Sequence, residues 1–316
     1  MVAILIALRV AGTGKIVPKW HRRVLVALML VFLAPSPGRT QARNVAPQPL
    51  GTLVDVGGYR VHLYCVGSGN PTVVITGAGY SFDWGLVQPE VAKLARVCAY
   101  DHSGVAWSEP GPTDTCSLRV GEIHSALKNA GILGPYVLVG HSLGALVSRL
   151  YASTYETEVA GMVIVEHATG SLLAKSKAPG DAFPQGKLPT PVRKPDLNAG
   201  FEKLPERDYQ LHVWANSQPG IPQIIDKNSQ IATECSTQVD SATKNQASPL
   251  SDKPLIAISV QATQLLHAQL LSLSSNSKQL IAVHTGHYVM VDRPDVVIGA
   301  IREVIEAAQN HTKLKR

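Results

Sequence analysis

The stretch of residues 136–145 reads YVLVGHSLGA. Its apolar run ends at Gly140, and Ser142 stands between that glycine and Gly144. A strand that turns abruptly into a helix strains its turn residue, so small neighbours are needed. The G-x-S-x-G pattern therefore predicts a turn that lifts the Ser142 hydroxyl out of a sheet and to a helix N-terminus, where N–H groups favour developing negative charge. A serine that only caps a helix is the alternative.

Apolar runs of strand length alternate with helical patterns on both sides of this turn. The alternation predicts a mostly parallel sheet with helices on both faces, and a starting hairpin adds antiparallel strands at one edge. The segment 167–253 is too long for a simple connection, so we expect a helical cap there, between core segments 43–166 and 254–316. Predicted strands are 52–56, 59–66, 71–76, 96–100, 136–140, 159–166, 254–260 and 278–283; predicted helices are 83–95, 117–130, 143–155, 261–273 and 294–309.

The net charge of +6 belongs to the N-terminus. Residues 1–42 contain six of the 29 basic side chains and no acidic one, which leaves 23 basic against 23 acidic residues elsewhere. This balance argues against a nucleic-acid-binding face. The basic KWHRR, the apolar VLVALMLVFLA and the small-x-small ending at Ala42 predict an export signal over 1–42, with cleavage near Ala42 and a periplasmic or secreted protein. A retained N-terminal membrane anchor is the alternative, and the only membrane contact that we expect.

Motifs for other chemistries are absent from the sequence. It contains no P-loop, no G-x-G-x-x-G after a strand, no H-E-x-x-H and no C-x-x-C. We therefore expect no cofactor, no metal and no nucleic-acid partner.

Four segments carry a resemblance to the α/β-hydrolase superfamily, in particular to exported bacterial serine hydrolases. They are GHSLG (140–144), TGAGY (76–80), YDHSG (100–104) and TGHYVMVDRP (285–294). The resemblance covers about residues 50–310 and implies the α/β-hydrolase fold, with a Ser-acid-His triad in that chain order.

The resemblance implies His287 as the base, because the superfamily carries it in the loop after the last strand. We expect His141 to have a structural role. The acid commonly follows the strand at 254–260, but residues 261–279 contain no Asp or Glu. Other members place the acid one strand earlier, which implies Glu166. Asp292 is the next candidate.

For the oxyanion hole, we expect one donor in Leu143 N–H, directly after the nucleophile. Alignment with the superfamily's His-Gly-x loop implies Ala78 as the second donor, with Thr76 replacing the usual histidine. Gly79 or Tyr80 would serve if the loop path is shifted.

The superfamily's strand order also implies that the strands carrying Cys65 and Cys98 are neighbours. Adjacency alone does not give bridging geometry, so we expect no bridge between these two cysteines. The state of Cys116 and Cys235 stays open.

These features predict a hydrolase that cleaves carboxylic esters of small, apolar substrates through an acyl-enzyme. An amidase, a peptidase or a cofactor-free perhydrolase on the same fold is the alternative, as is a non-catalytic binding protein.

Overall fold

A single sheet organises the part of the chain that the computed structural model describes, residues 46–77, 79–167 and 197–315. Its strands follow the order β1-β2-β4-β3-β5-β6-β7-β8. The β1–β2 and β2–β4 pairs are antiparallel, whereas β3–β4 and all pairs from β3–β5 to β7–β8 are parallel. The strands are β1 (Thr52–Asp55), β2 (Arg60–Val66), β3 (Thr72–Thr76), β4 (Val97–Asp101), β5 (Tyr136–Ser142), β6 (Val159–His167), β7 (Leu255–Val260) and β8 (Ser277–Ala282). The predicted fold class is confirmed.

The helices match the predicted segments in most places. The exceptions are 83–95, where the structure has a 3-10 helix (Ser81–Trp84) and then a short α-helix, and 261–273, where a four-residue α-helix (Gln264–His267) is followed by a 3-10 helix (Ala268–Leu273). Pro89 explains the break within 83–95, because it has no N–H group to donate to the Gly85 carbonyl and its ring would clash with that carbonyl in a continuous helix. The α-helices are α1 (Gln88–Val91), α2 (Cys116–Asn129), α3 (Leu143–Thr154), α4 (Glu206–Asn216), α5 (Ile221–Thr243), α6 (Gln264–His267), α7 (Val289–Asp292) and α8 (Pro294–Asn310); further 3-10 helices are Glu156–Glu158 and Ala268–Leu273.

Helices cover both faces of the sheet, because successive strand residues point to opposite sides. On β5, Leu138 belongs to a buried cluster with residues of α2 and α3. Its neighbours Val137 and Val139 belong to a second cluster with residues of α1 and α8. The purely apolar strands follow from this double burial. Among the described residues, no helix has the length and apolar character needed to cross a bilayer.

Two helices of the segment between β6 and β7 pack in different places. Leu211 and Ala215 of α4 form a small buried cluster with Tyr80 and Phe82, in the connection that follows β3. The helix α5 instead contributes residues such as Val239 to the core cluster on the α2–α3 face. The helix α4 and the first residue of α5, Ile221, therefore pack over the β3 connection, whereas the rest of the core contacts of α5 lie on the α2–α3 face.

Both cysteine pairs form disulfides. The expectation that Cys65 and Cys98 are not bridged is wrong. The two residues face each other in direct antiparallel register on β2 and β4, with Cα atoms 4.0 Å apart. The second bridge joins Cys116 of α2 to Cys235 of α5, with Cα atoms 5.1 Å apart. It links the core covalently to the inserted segment, and sequence spacing gave no indication of it.

The two bridges should differ in their contribution to stability, because the longer closed loop restricts the unfolded chain more. The separations are 119 residues for Cys116–Cys235 and 33 for Cys65–Cys98. We predict that Cys116→Ala/Cys235→Ala lowers the free energy of unfolding by about 2–5 kcal/mol. Cys65→Ala/Cys98→Ala, which deletes the same atoms, should cost about 1 kcal/mol less. Urea unfolding under non-reducing conditions measures both. A larger loss for the 65–98 variant would contradict the prediction.

Candidate active site

Ser142 occupies a strained turn between β5 and α3. Its backbone angles are φ 53° and ψ −120°, a conformation that costs a non-glycine residue about 1–3 kcal/mol. The residue is half-buried, and Leu143 begins the helix directly after it. The first N–H groups of a helix have no partner within the helix. The Ser142 hydroxyl therefore lies next to unpaired donors and the positive end of the helix dipole.

The two flanking glycines are required by close contacts. A Cβ atom on Gly140 would lie 2.6 Å from Cα of Ala145, and one on Gly144 would lie 2.4 Å from the carbonyl oxygen of Thr76. Both obstacles are backbone or rigidly attached atoms, so neither can move aside. The Thr76 hydroxyl donates to the Gly144 carbonyl at 2.9 Å, and it is 2.8 Å from the Ser148 hydroxyl. Thr76 thus ties the end of β3 to the first turn of α3.

His287 lies in the loop between β8 and α7, beside the Ser142 turn. Its ring centroid is 4.7 Å from that of His141, the residue before Ser142. Nε2 of His141 donates to the carbonyl oxygen of His287 at 2.8 Å, which places the proton of that neighbour on Nε2. Burial lowers the pKa of His287, so its ring is neutral and able to accept a proton at pH 7. Among the described residues, the His287 ring forms no hydrogen bond with Ser142 or Glu166.

Glu166 ends β6 and reaches across to the end of β7. Its φ is 40°, and its Oε2 atom accepts hydrogen bonds from Val260 N at 2.9 Å and from the Thr263 hydroxyl at 3.0 Å. Burial raises the pKa of Glu166, and these two hydrogen bonds partly offset the rise. Nδ1 of His267 lies 3.9 Å from Oε2, and burial lowers the pKa of this histidine to about 4. The carboxylate is therefore held at the end of β7 next to a neutral imidazole.

Asp292 holds the backbone of the loop that carries His287. It accepts hydrogen bonds from Thr285 Oγ1 at 3.0 Å and Gly286 N at 3.1 Å, and Lys203 lies 2.5 Å from its other oxygen. Burial alone would raise the pKa of Asp292, but the Lys203 contact and the two loop donors outweigh it, and the net shift is downward. The charged carboxylate contacts the two residues before His287 rather than its ring.

The hydrogen bonds of the loop after β3 limit which residue can supply the second oxyanion donor. Ala78 lies outside the described residues. Tyr80 N donates to Oδ2 of Asp83 at 2.9 Å, so this N–H is already used inside the protein. Gly79 has φ 121°. The sequence offered Ala78, Gly79 and Tyr80 as candidates for the second donor. The hydrogen bond to Asp83 rules out Tyr80.

A second Ser-His-Asp set, formed by Ser81, His62 and Asp101, is structural. Nδ1 of His62 donates to Asp101 Oδ2 at 2.7 Å, and the Ser81 hydroxyl donates to the same oxygen at 2.8 Å. Nε2 of His62 accepts from Gly51 N at 2.9 Å. The imidazole nitrogen that would take a proton is therefore occupied, and all three side chains are buried.

A cavity of about 160 Å³ extends from the His287 loop to α4 and α5. Aromatic and aliphatic side chains dominate its lining, among them Tyr80, Phe201, Ile221, Ile224 and Tyr288. No lysine or arginine lines it within the described part of the chain. Ser142 does not line the cavity. Gly79 and His287 do, and they belong to the two loops expected to flank the nucleophile.

Several contacts around the candidate site could not be predicted from the sequence. The His141 side chain fixes the His287 backbone, Thr263 anchors Glu166, and Asp83 links the loop after β3 to His212 of α4. Each contact joins residues far apart in the chain, and no local sequence motif indicates it. Among the described residues, no group of three or more His, Cys, Asp or Glu side chains is arranged to hold a metal ion.

Comparison with known proteins agrees with this architecture. A family model described as the alpha/beta hydrolase fold matches residues 70–195. The chain is similar to the uncharacterized protein YqjL of Bacillus subtilis, at 26% identity over 77% of this chain and 86% of that protein. It is 29% identical to a 2-hydroxy-6-oxo-2,4-heptadienoate hydrolase of Pseudomonas putida, over 37% of this chain and 44% of the relative.

Among solved structures, the epoxide hydrolase CorEH superposes with a TM-score of 0.59 at 21% identity. The alignment covers 79% of this chain and 95% of CorEH. At this identity the likeness shows a shared fold. The family match and the eight-stranded sheet together show that this chain has the α/β-hydrolase fold.

Proposed function

We propose that the chain is a serine hydrolase that cleaves carboxylic esters, with Ser142 as nucleophile and His287 as general base. The observation that carries the proposal is the Ser142 turn, with φ 53° at the helix N-terminus. The His287 loop is held beside this turn by His141. Epoxide hydrolysis by an aspartate nucleophile does not suit a chain whose turn residue is serine.

In the proposed reaction, Ser142 Oγ attacks the ester carbonyl carbon while its proton passes to His287. The carbonyl oxygen gains negative charge and is stabilised by Leu143 N–H and a donor from the loop after β3, for which we retain Ala78. Collapse expels the alcohol, which takes the proton from His287 and leaves an acyl-enzyme. Water then attacks the acyl carbon with His287 again as base, and the carboxylic acid is released.

We assign the triad acid to Glu166. It is buried at the end of β6, the strand that pairs with β5, and Ser142 is in register with the next residue, His167. A carboxylate here would stabilise the imidazolium that forms as His287 takes the proton. Asp292 is the weaker candidate, because its oxygens are occupied by the loop donors and Lys203.

The cavity lining supports a neutral, apolar substrate. Its described side chains are mostly aromatic and aliphatic, and its one carboxylate, Asp83, is paired with His212. Hydrolysis of an oxo-dienoate is the second candidate, because of the Pseudomonas putida relative. A carboxylate substrate favours an arginine or lysine partner, and the described lining contains neither. We therefore rank the ester first.

We also propose that the protein acts outside the cytoplasm, after removal of residues 1–42. The two disulfides support this, because such bridges persist in oxidising compartments. N-terminal sequencing of secreted or periplasmic protein should begin near Arg43. Recovery of chains that retain Met1 from a membrane fraction would favour the anchor.

The nucleophile is tested with a fluorophosphonate probe and a panel of p-nitrophenyl esters, anilides and dienoates. We expect one covalent adduct on Ser142 and turnover of the neutral esters. Ser142→Ala should abolish the adduct and lower turnover by about 10⁴-fold or more. Ser153→Ala, on the same helix, is the matched control and should change neither. An adduct on a different serine, retained in Ser142→Ala, would refute the assignment.

The identity of the acid is tested by comparing Glu166→Gln with Asp292→Asn. Glu166→Gln keeps the shape and removes the charge, so kcat should fall by up to about 10⁴-fold with a smaller change in KM. Asp292→Asn should keep most of the turnover and lower the free energy of unfolding by about 1 kcal/mol, because it loses the Lys203 contact. Kinetics and thermal unfolding of both variants measure this. The reverse pattern, with intact folds, would move the acid to Asp292.

A further inference from the structure

We propose that His212 of α4 is a positioning residue for the oxyanion loop, residues 76–80, and that it acts through Asp83. The inference rests on the proposed function, because it concerns the loop expected to supply the second oxyanion donor. It makes the segment between β6 and β7 part of the catalytic geometry, beyond its role in enclosing the substrate.

The two carboxylate oxygens of Asp83 accept hydrogen bonds from different segments, one from the oxyanion loop and one from α4. Its Oδ2 atom accepts from Tyr80 N at 2.9 Å, and its Oδ1 atom accepts from Nδ1 of His212 at 2.7 Å. Asp83 is 0% exposed and His212 is 3% exposed, so water does not compete for either bond. A single buried carboxylate therefore bridges the backbone of the oxyanion loop and the α4 helix.

The carboxylate also sets the path of the loop. A Cβ atom on Gly79 would lie 2.4 Å from Asp83 Oδ2, which shows how closely the loop backbone passes the carboxylate. Gly79 takes φ 121°, a conformation that side chains rarely permit. A shift of Asp83 would therefore displace the backbone next to the expected donor.

His212 is held rigidly in turn. Its ring stacks on Phe201 with centroids 3.9 Å apart, and its Nε2 atom lies 3.1 Å from the Leu197 carbonyl and 2.9 Å from Asn216 Nδ2. The side-chain oxygen Oδ1 of Asn216 accepts from the Tyr80 hydroxyl at 2.8 Å. Both ring nitrogens of His212 are thus engaged within the protein. His212 lines the cavity, but neither ring nitrogen is left for a substrate, so the geometry fits a structural link between α4 and the loop.

Electrostatics give the reason for a histidine at this position. Burial lowers the pKa of His212, but its hydrogen bond to Asp83 and the charge of Asp83 outweigh burial and raise the pKa overall. A buried carboxylate without such a partner is costly, because it must bind a proton or admit water. Loss of the Nδ1 donor would therefore disturb the Asp83 side chain that orders the loop.

The test uses two amide substitutions that imitate different ring nitrogens. Asn places a donor near the Nδ1 position of histidine, whereas Gln places its amide near Nε2. We expect His212→Gln to lower kcat by about 10- to 10²-fold with KM changed less than about threefold, because a displaced oxyanion donor affects the transition state most. His212→Asn should restore most of the loss. Affinity for trifluoroacetophenone, which forms a tetrahedral adduct with serine, should fall in parallel with kcat/KM.

The controls separate positioning from folding and from the proposed function. His124→Gln changes a histidine that lies 3.2 Å from Glu158, away from the cavity, and should leave kcat unchanged. If His212→Gln does not fold, His212→Phe, which keeps the stack on Phe201, replaces it. Equal kcat values in His212→Gln, His212→Asn and the wild type would overturn the inference, as would a lowered kcat with unchanged ketone affinity. Absence of fluorophosphonate labelling on wild-type Ser142 would instead refute the proposed function.

Discussion

The close approach of α3 to the end of β3 is the constraint on which the rest of the site depends. The Gly144 backbone packs so tightly against Thr76 that no side chain fits between them. The hydrogen bond from the Thr76 hydroxyl to the Gly144 carbonyl fixes this contact at 2.9 Å. The same contact lies two residues from the strained Ser142 and brings the end of β3 beside the helix N-terminus. This single backbone contact between Thr76 and Gly144 therefore positions both the proposed nucleophile and the loop expected to supply the second oxyanion donor.

Buried or half-buried carboxylates then order the loops around that crossing. Each accepts a hydrogen bond from a loop N–H group, which fixes the backbone more firmly than apolar packing alone would. Their N–H partners lie on the connections that follow β3 and β8 and at the last residue of β7. The pairs are Asp83 with Tyr80, Asp101 with Ser81, Glu166 with Val260, and Asp292 with Gly286. The carboxyl end of the sheet is in this way preorganised by charge-assisted bonds.

Glu166 shows how a residue of one strand supplies a carboxylate at the end of the next strand. The connection after β7 has no acidic side chain, yet a carboxylate lies at the end of β7, because Glu166 extends there from β6. Its φ of 40° turns the strand end in a way that residues in regular strands do not adopt. Such local strain at the end of a strand is common where side chains must converge on a site.

The sequence alone determined the eight strands, the helices on both faces and the turn at Ser142. These features depend on local periodicity and on glycines that backbone geometry demands, and both are visible in neighbouring residues. The sequence also excluded a triad acid directly after β7, because residues 261–279 contain no Asp or Glu.

Only the tertiary structure decided the contacts between distant segments. The Cys65–Cys98 bridge depended on direct cross-strand register, and the Cys116–Cys235 bridge on how α5 packs against α2. The His212–Asp83 link joins residues 129 positions apart, and the direction in which Glu166 points was fixed by donors on β7 and beyond. Periodicity specifies which face of a strand or helix is buried. It carries no information about which distant residues pack against that face, and these long-range contacts determine the geometry of the site.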